Sequence, residues 1–212
     1  GAGNLDGAGT AARISAAGSP VTDAAGNIYY SDPFVRVIRK VTVDGKVSIL
    51  AGKSGASGNT DGAGEAARFN FPLDLVIDSK GDLLVLDSKV IRKVSASGVV
   101  STIPTSDFKI VSHLAIDKQD NLYISDTGDH HVYKLTPGGT LSMVPVYLGS
   151  ADTPVMIGEG YNYNGQRGVA VDVAGNLYAA ETANNRIRKI TPDGTASVFA
   201  NLPKPYTLKL DA

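Results

Sequence analysis

One phrase of 13 residues occurs four times in this chain, and this repetition constrains the fold more than any other feature. Residues 169–181 read VAVDVAGNLYAAE, and residues 114–126 read LAIDKQDNLYISD. The same phrase begins at Leu75 and, less closely, at Pro20. Repeats of this kind are typical of stacked supersecondary units, each of which buries its apolar face against a neighbour.

Each copy carries two acidic residues nine positions apart, with a turn pair such as Gly175-Asn176 between them. Glycine and asparagine tolerate the positive φ of tight hairpin turns, so each copy predicts a β-hairpin. Because the acids recur in every copy, we interpret them as groups that cap turns and not as catalysts. Glu181 is also placed to bind Arg186, five residues further on. The acid pairs are Asp23 and Asp32, Asp78 and Asp87, Asp117 and Asp126, and Asp172 and Glu181.

Two further strands follow each hairpin, so the sequence predicts an all-β fold with four antiparallel strands per repeat, the blade of a β-propeller. The first acids are 55, 39 and 55 residues apart, which predicts inserts of about 16 residues at positions 51–70 and 146–165. The four complete blades cover residues 19–52, 72–104, 112–145 and 166–201, with partial units at 1–18 and 202–212.

The repeat resembles the NHL family of β-propellers. The matching segments are residues 168–172 (GVAVD), 175–178 (GNLY), 185–190 (NRIRKI) and the insert 60–72 (TDGAGEAARFNFP), which residues 5–14 (LDGAGTAARI) echo. The resemblance implies a ring of about six blades, of which the chain would supply four. Residues 205–211 predict the first strand of a fifth blade. The chain is then a single NHL-like domain that closes alone, a fragment of a larger ring, or a subunit whose copies complete the ring.

The charge balance argues against nucleic acid as a partner, because 20 basic and 21 acidic residues give a net charge of −1. The Arg-Lys pairs occur on third strands, one per blade, and we expect them to cover blade edges. No apolar run predicts a membrane span. The chain contains no cysteine. The glycine-rich loops are typical of an exported bacterial protein, so we expect a secreted or periplasmic location.

Departures from the repeat mark the candidate ligand-binding residues. Asp74 and His113 open the first strands of their blades, where other copies have Ser19, Gly168 and Thr207, and Arg167 departs one position earlier. First strands line the central channel of a propeller, so these side chains are expected at its mouth, where function is commonly added.

The second insert supplies two more candidates, Tyr161 and Tyr163, within the segment IGEGYNYNGQR at residues 157–167. Tyrosine and asparagine side chains combine apolar area with hydrogen-bonding groups, as binding surfaces for proteins and carbohydrates do.

The metal signals are weak, and we expect no cofactor. Asp6 and Asp61 begin short oxygen-rich segments like the start of a calcium loop, but the remaining ligands of that motif are absent. We interpret both as caps of short helices that start near Ala8 and Ala63. A catalytic zinc site needs about three protein ligands, and the channel column contains one histidine.

These observations favour a non-enzymatic binding or interaction module, with a protein, small-molecule or carbohydrate ligand at the face that carries the inserts. No catalytic residue is assigned. One alternative is an enzyme of the propeller lyase or lactonase type, with His113 and Asp74 as bases or metal ligands. Another is a structural array of blades that self-assembles into a closed ring.

Overall fold

The structure is a computed structural model that describes residues 5–14, 17–105, 108–128, 131–144 and 168–210. Within these ranges the regular structure consists of β-strands and three short 3-10 helices, at Gly9–Ala11, Gly64–Ala66 and Thr182–Asn184. None of the described helices has the length and apolar character needed to cross a membrane. The chain divides into two compact units, Gly1–Thr105 and Ser106–Ala212.

The first unit contains two antiparallel sheets of five strands each. In both sheets the four predicted strands are consecutive, and a two-residue strand from the preceding segment is added at the outer edge. The first sheet consists of β1 (Gly7–Ala8), β2 (Val21–Thr22), β3 (Ile28–Asp32), β4 (Val37–Val41) and β5 (Lys46–Ala51) in the order β1-β5-β4-β3-β2. The second consists of β6 (Gly62–Ala63), β7 (Pro72–Ile77), β8 (Leu83–Asp87), β9 (Val90–Val94) and β10 (Val99–Ile103) in the order β6-β10-β9-β8-β7.

The second unit contains two antiparallel sheets of four strands each, paired in chain order. One consists of β11 (Val111–Ile116), β12 (Leu122–Asp126), β13 (His131–Leu135) and β14 (Leu141–Met143). The other consists of β15 (Val169–Val171), β16 (Leu177–Glu181), β17 (Arg186–Ile190) and β18 (Ala196–Asn201).

The hairpin between the first two strands is the same in every sheet, because one residue of each turn adopts a left-handed conformation. Gly26, Gly81 and Gly175 have φ angles of 83°, 82° and 82°, and Asp120 takes the same place with φ of 61°. Aspartate is one of the few residues other than glycine that tolerates this region. The hairpins predicted from the turn pairs are therefore present in all four sheets.

The cores of the two units are built from the inward-facing residues of neighbouring sheets. In the first unit Tyr29, Leu75 and Val85 pack with Ala67 and Phe69, which belong to the insert between the sheets. In the second unit the cluster includes Tyr123, Val132, Val169, Leu177 and Ile190.

The C-terminal segment is not the strand that the sequence predicts, since its described residues 205–210 form no strand. It nevertheless contacts β15, because the Gly168 N–H donates to the Tyr206 carbonyl at 2.5 Å. A Cβ atom on Gly168 would lie 2.3 Å from the Leu208 nitrogen, so this approach requires glycine.

Candidate functional site

The first strands of two sheets contain a β-bulge that places one candidate residue each. In β7 the pairing with β8 shifts between Pro72 and Asp74, and in β11 the pairing with β12 shifts between Val111 and His113. Asp74 and His113 therefore occupy the same position of their repeats, here called the post-bulge position. Bulges re-aim side chains and occur frequently beside functional sites.

The bulge ahead of Asp74 is held by the neighbouring sheet of the first unit. The Ser31 hydroxyl of β3 donates to the carbonyl of Leu73, the residue before Asp74, at 3.0 Å. Asp74 is 5% exposed, and its Oδ1 accepts from the N–H of Leu75 at 3.0 Å. The carboxylate is thus buried at the start of β7 with a backbone donor beside it.

His113 is 4% exposed, and neither of its ring nitrogens has a hydrogen-bond partner in the described part of the chain. A buried polar group without a partner typically costs about 1–3 kcal/mol. Its neighbour Ser112 faces Ser125 of β12, with the two hydroxyl oxygens 3.5 Å apart. In the second unit the adjacent sheet has Gly168 at the post-bulge position, so no second side chain is contributed there.

The remaining candidates, Tyr161, Tyr163 and Arg167, lie outside the described residues. Asp74 belongs to the first compact unit and His113 to the second. The structure therefore gives the surroundings of these two residues separately, and the five-residue site stays a prediction.

The first acid of each repeat binds the turn, as predicted. Asp23 accepts from the backbone N–H groups of Ala25 and Asn27, from the Asn27 amide and from the Tyr29 hydroxyl, at 2.8–3.0 Å. The Asn27 side chain is the largest of the causes that hold the pKa of Asp23 at about 2. Asp172 makes the same set of bonds in the last sheet, and its pKa is lowered, mainly by the Asn176 side chain.

The second acid of each repeat is buried and binds a neighbouring segment or a basic side chain. Asp87 accepts from the backbone N–H groups of Asn70 and Phe71, while burial raises its pKa. Asp126 accepts in the same way from Lys109 and Ile110 at 2.6 and 2.8 Å. Glu181 binds Arg186, as the spacing predicts. The recurring acids thus hold the repeats together.

The arginines of the Arg-Lys pairs do not cover the blade edges, so that prediction was wrong. Arg39, Arg92 and Arg188 are fully buried on the third strands of their sheets. Arg92 donates to Asp61 at 2.8 Å and to Asp87 at 3.3 Å, and Arg188 donates to Glu181 at 2.6 Å. Alternate residues of a strand face opposite sides, so the arginine turns inward where the adjacent lysine does not.

The prediction that Asp6 and Asp61 cap short helices was also wrong. The 3-10 helices begin at Gly9 and Gly64 and have no side-chain cap. Asp61 instead accepts from the Thr102 backbone N–H at 3.0 Å and from Arg92. Burial opposes the ionisation of Asp61, but these bonds lower its pKa overall. Asp6 accepts from Arg39 at 2.7 Å and from the Ile49 N–H at 3.0 Å.

Metal-ligand clusters were sought over the described ranges, and they contain no group of three or more His, Cys, Asp or Glu side chains placed to hold a metal ion.

The second unit contains a groove of about 430 Å³ that the sequence did not indicate. Tyr123, Lys134, Met143 and Pro192 are among its lining residues. The Lys134 ammonium lies 5.4 Å from the centre of the Tyr123 ring, and burial raises the pKa of Tyr123 to about 12. Equivalent Lys–Tyr contacts occur in other sheets, so no departure from the repeat marks this groove.

No family model matches the chain. Teneurin-3 of Mus musculus is 26% identical over 171 residues, which cover 66% of this chain and 6% of that protein. A likeness of this extent gives no family membership.

Solved structures resemble the fold closely at low sequence identity. Virginiamycin B lyase from Staphylococcus aureus has a TM-score of 0.67 at 12% identity, over 92% of this chain and 61% of that one. A protein of unknown function from Bacteroides thetaiotaomicron has a TM-score of 0.68 at 14% identity, over 94% and 47%. An auxiliary nutrient binding protein from Bacteroides ovatus has a TM-score of 0.65 at 12% identity, over 96% and 46%.

The chain spans less than two-thirds of the length of each of these proteins. At such low identity the likeness speaks for the fold alone. Together with the four antiparallel sheets, it shows that this chain has an all-β fold of the β-propeller type.

Proposed function

We propose that this chain is an NHL-like β-propeller module that binds a ligand and does not catalyse a reaction. The ligand is a protein, a small molecule or a carbohydrate, held at the face that carries the inserts. Asp74, His113, Tyr161, Tyr163 and Arg167 are the residues proposed to contact it. The near-neutral charge argues against nucleic acid in this role.

The observation that carries the proposal is the burial of His113 without a hydrogen-bond partner among the described residues. A folded protein gains nothing from such a group, whereas a ligand that hydrogen-bonds the imidazole recovers the lost interaction. The bulge ahead of His113 supports this interpretation, because it sets the residue apart from the regular ladder of β11.

The test combines binding with stability in one variant, His113→Leu. Leucine fills a similar volume without polar atoms, so the variant should be about 1–2 kcal/mol more stable in urea unfolding. It should also lose the interactions that the unmodified protein makes on a glycan array and a peptide library. Exposed His131 provides the matched control, and His131→Leu should change neither property. Unchanged interactions in His113→Leu and in a Tyr161→Ala, Tyr163→Ala double variant would contradict the proposal.

Two further measurements distinguish the alternatives. Stoichiometric metal found by elemental analysis, together with turnover of a lactone or cyclic depsipeptide, would favour a lyase or lactonase. A mass in solution of about twice or more the chain's 22.0 kDa would favour a self-assembling array, with any site built where copies meet.

A further inference from the structure

The outer edges of both sheets in the first unit are covered by a short segment of the same sequence. β1 pairs antiparallel with β5 through Gly7 and Ala8, and β6 pairs antiparallel with β10 through Gly62 and Ala63. Each dipeptide follows an aspartate and precedes a glycine. The free hydrogen-bonding groups of an edge strand are therefore used by an Asp-Gly-Ala segment in both sheets.

The aspartate fixes the register of this added strand. Asp61 accepts from the N–H of Thr102, a residue of β10 that pairs with Arg92 of β9. Asp6 accepts from the N–H of Ile49, which pairs with Arg39 in the same way. One outward N–H on the outer strand, opposite the third-strand arginine, thus recognises the carboxylate in both sheets.

The last sheet of the second unit repeats this arrangement without an added strand among its described residues. β18 is six residues long, and Val198 pairs with Arg188, the equivalent of Arg39 and Arg92. Val198 is 42% exposed and Phe199 is 59% exposed. The insert that precedes this blade, residues 146–165, contains no Asp-Gly-Ala sequence. The N–H of Val198 therefore holds the position that binds aspartate in the other two sheets.

The third sheet differs in both respects. Its outer strand β14 has three residues, and Tyr133 stands in the position of the arginine, with its ring centre 5.5 Å from that of Phe108. The chain therefore contains an internal control, since β14 lacks two features that the covered edges share.

We propose that the outer edge of β18 binds an extended peptide of a partner protein that carries an aspartate followed by two small residues. The peptide adds an antiparallel strand along residues 194–198, and its carboxylate accepts from the Val198 N–H. Main-chain bonds provide the affinity, and the exposed face of Phe199, which stacks on Tyr178 at 5.0 Å, provides apolar contact. A second copy is the less suitable occupant, because both Asp-Gly-Ala segments of a copy are already paired with its own strands.

The first test uses the chain's own segment as the probe, a labelled synthetic peptide with the sequence of residues 58–70 (GNTDGAGEAARFN). Fluorescence anisotropy measures its binding to the intact protein, and hydrogen exchange locates it. The peptide should slow exchange of the Ala196 and Val198 amides. Replacement of its aspartate by asparagine should weaken binding at least about tenfold. The absence of slowed exchange at millimolar peptide overturns the proposal.

Two protein variants remove the recognition group by different means. Val198→Pro deletes the outward N–H at an edge position where proline is tolerated, and Val198→Asp keeps the N–H but repels the peptide's carboxylate. Both should weaken binding at least about tenfold, whereas the matched change in the third sheet, Met143→Pro, should not. Equal binding by both Val198 variants overturns the proposal.

The oligomeric state tests the competing occupant. If light scattering gives about twice the mass of 22.0 kDa, and Val198→Asp restores the single-chain mass, a second copy occupies the edge and the peptide proposal is overturned. A single-chain mass in both proteins supports the peptide. None of these measurements involves His113 or Asp74, so this inference and the proposed function can fail independently.

Discussion

The sheets of the first unit and the last sheet of the second unit share their strands but differ at the outer edge. In the first unit an Asp-Gly-Ala segment extends each sheet to five strands and joins its aspartate to a buried arginine. In the last sheet the described part ends at β18, with apolar side chains exposed. The repeated strands therefore define the blade, and the segments between blades determine whether its edge is closed.

The same segments distinguish the interiors of the two units. The insert of the first unit places Ala67 and Phe69 in the core, where both are fully buried. In the second unit, the corresponding region between neighbouring sheets contains the groove of about 430 Å³ beside Met143 and Pro192. An insert that packs inward thus stabilises one pair of sheets in a way that the strands alone do not.

The largest expected effect comes from removing the insert's aromatic anchor. Phe69→Ala should lower the free energy of unfolding by about 3–5 kcal/mol, because it leaves a cavity in a close-packed core. Phe199→Ala is the matched control in the second unit, where the ring is more than half exposed, and it should cost less than about 1 kcal/mol. Urea unfolding of both variants measures the difference. Equal losses would mean that the insert does not stabilise the first unit through its core contact.

The edge anchor should contribute less. Asp61→Ala should cost about 1–2 kcal/mol, because it removes charge-assisted bonds to Arg92 and Thr102 from a carboxylate that is half exposed. Glu65→Ala changes an exposed acid of the same insert and should stay within about 0.5 kcal/mol of the unmodified protein. Hydrogen exchange should become faster at Thr102 in Asp61→Ala alone. Similar stability losses in both variants would contradict a specific anchor.

The features that the sequence predicts correctly are those encoded within one repeat. The positive-φ turn residues, the alternating strands and the carboxylates that bind the turn lie within 13 residues of each other, so their pattern is visible in each copy. The pair of Glu181 and Arg186 is also local and was predicted.

The features that the sequence does not reveal depend on residues far apart in the chain. Arg92 is buried because Asp61, 31 positions earlier, and Asp87 both bind it, and an Arg-Lys pair read alone indicates exposure. The added strand Gly62–Ala63 is too short to have a periodic pattern. The surroundings of His113 depend on a bulge and on packing, and the pattern indicated its position but not its unsatisfied nitrogens.

The two acids of a repeat should titrate in opposite directions. Hydrogen bonds led by the Asn27 side chain hold the pKa of Asp23 at about 2, below its ordinary value of 3.8. Because the folded pKa is depressed, the stability that Asp23 contributes is complete above pH 4 and is lost as the pH falls towards 2. Burial raises the pKa of Asp87, so its ionisation opposes folding as the pH rises through the folded value.

Carbon-detected NMR of the carboxyl groups checks both directions. The midpoint of Asp23 should lie near 2 and that of Asp87 above 3.8. Asn27→Ala should move the Asp23 midpoint upward and leave Asp87 unchanged, since Asn27 belongs to the turn of a different sheet. An unmoved Asp23 midpoint would show that its backbone donors suffice.

The smallest expected effect tests whether the strands of the two units are energetically alike. Lys134 lies over the Tyr123 ring in the second unit, and Lys40 lies over the Tyr29 ring in the first, both at 5.4 Å. Replacement of either lysine by methionine keeps most of the apolar stem, so each should cost about 0.5–1 kcal/mol. Equal losses would place the difference between the units in their inserts and edges. A larger loss for Lys40 would mean that the insert of the first unit also strengthens the contacts within its repeated strands.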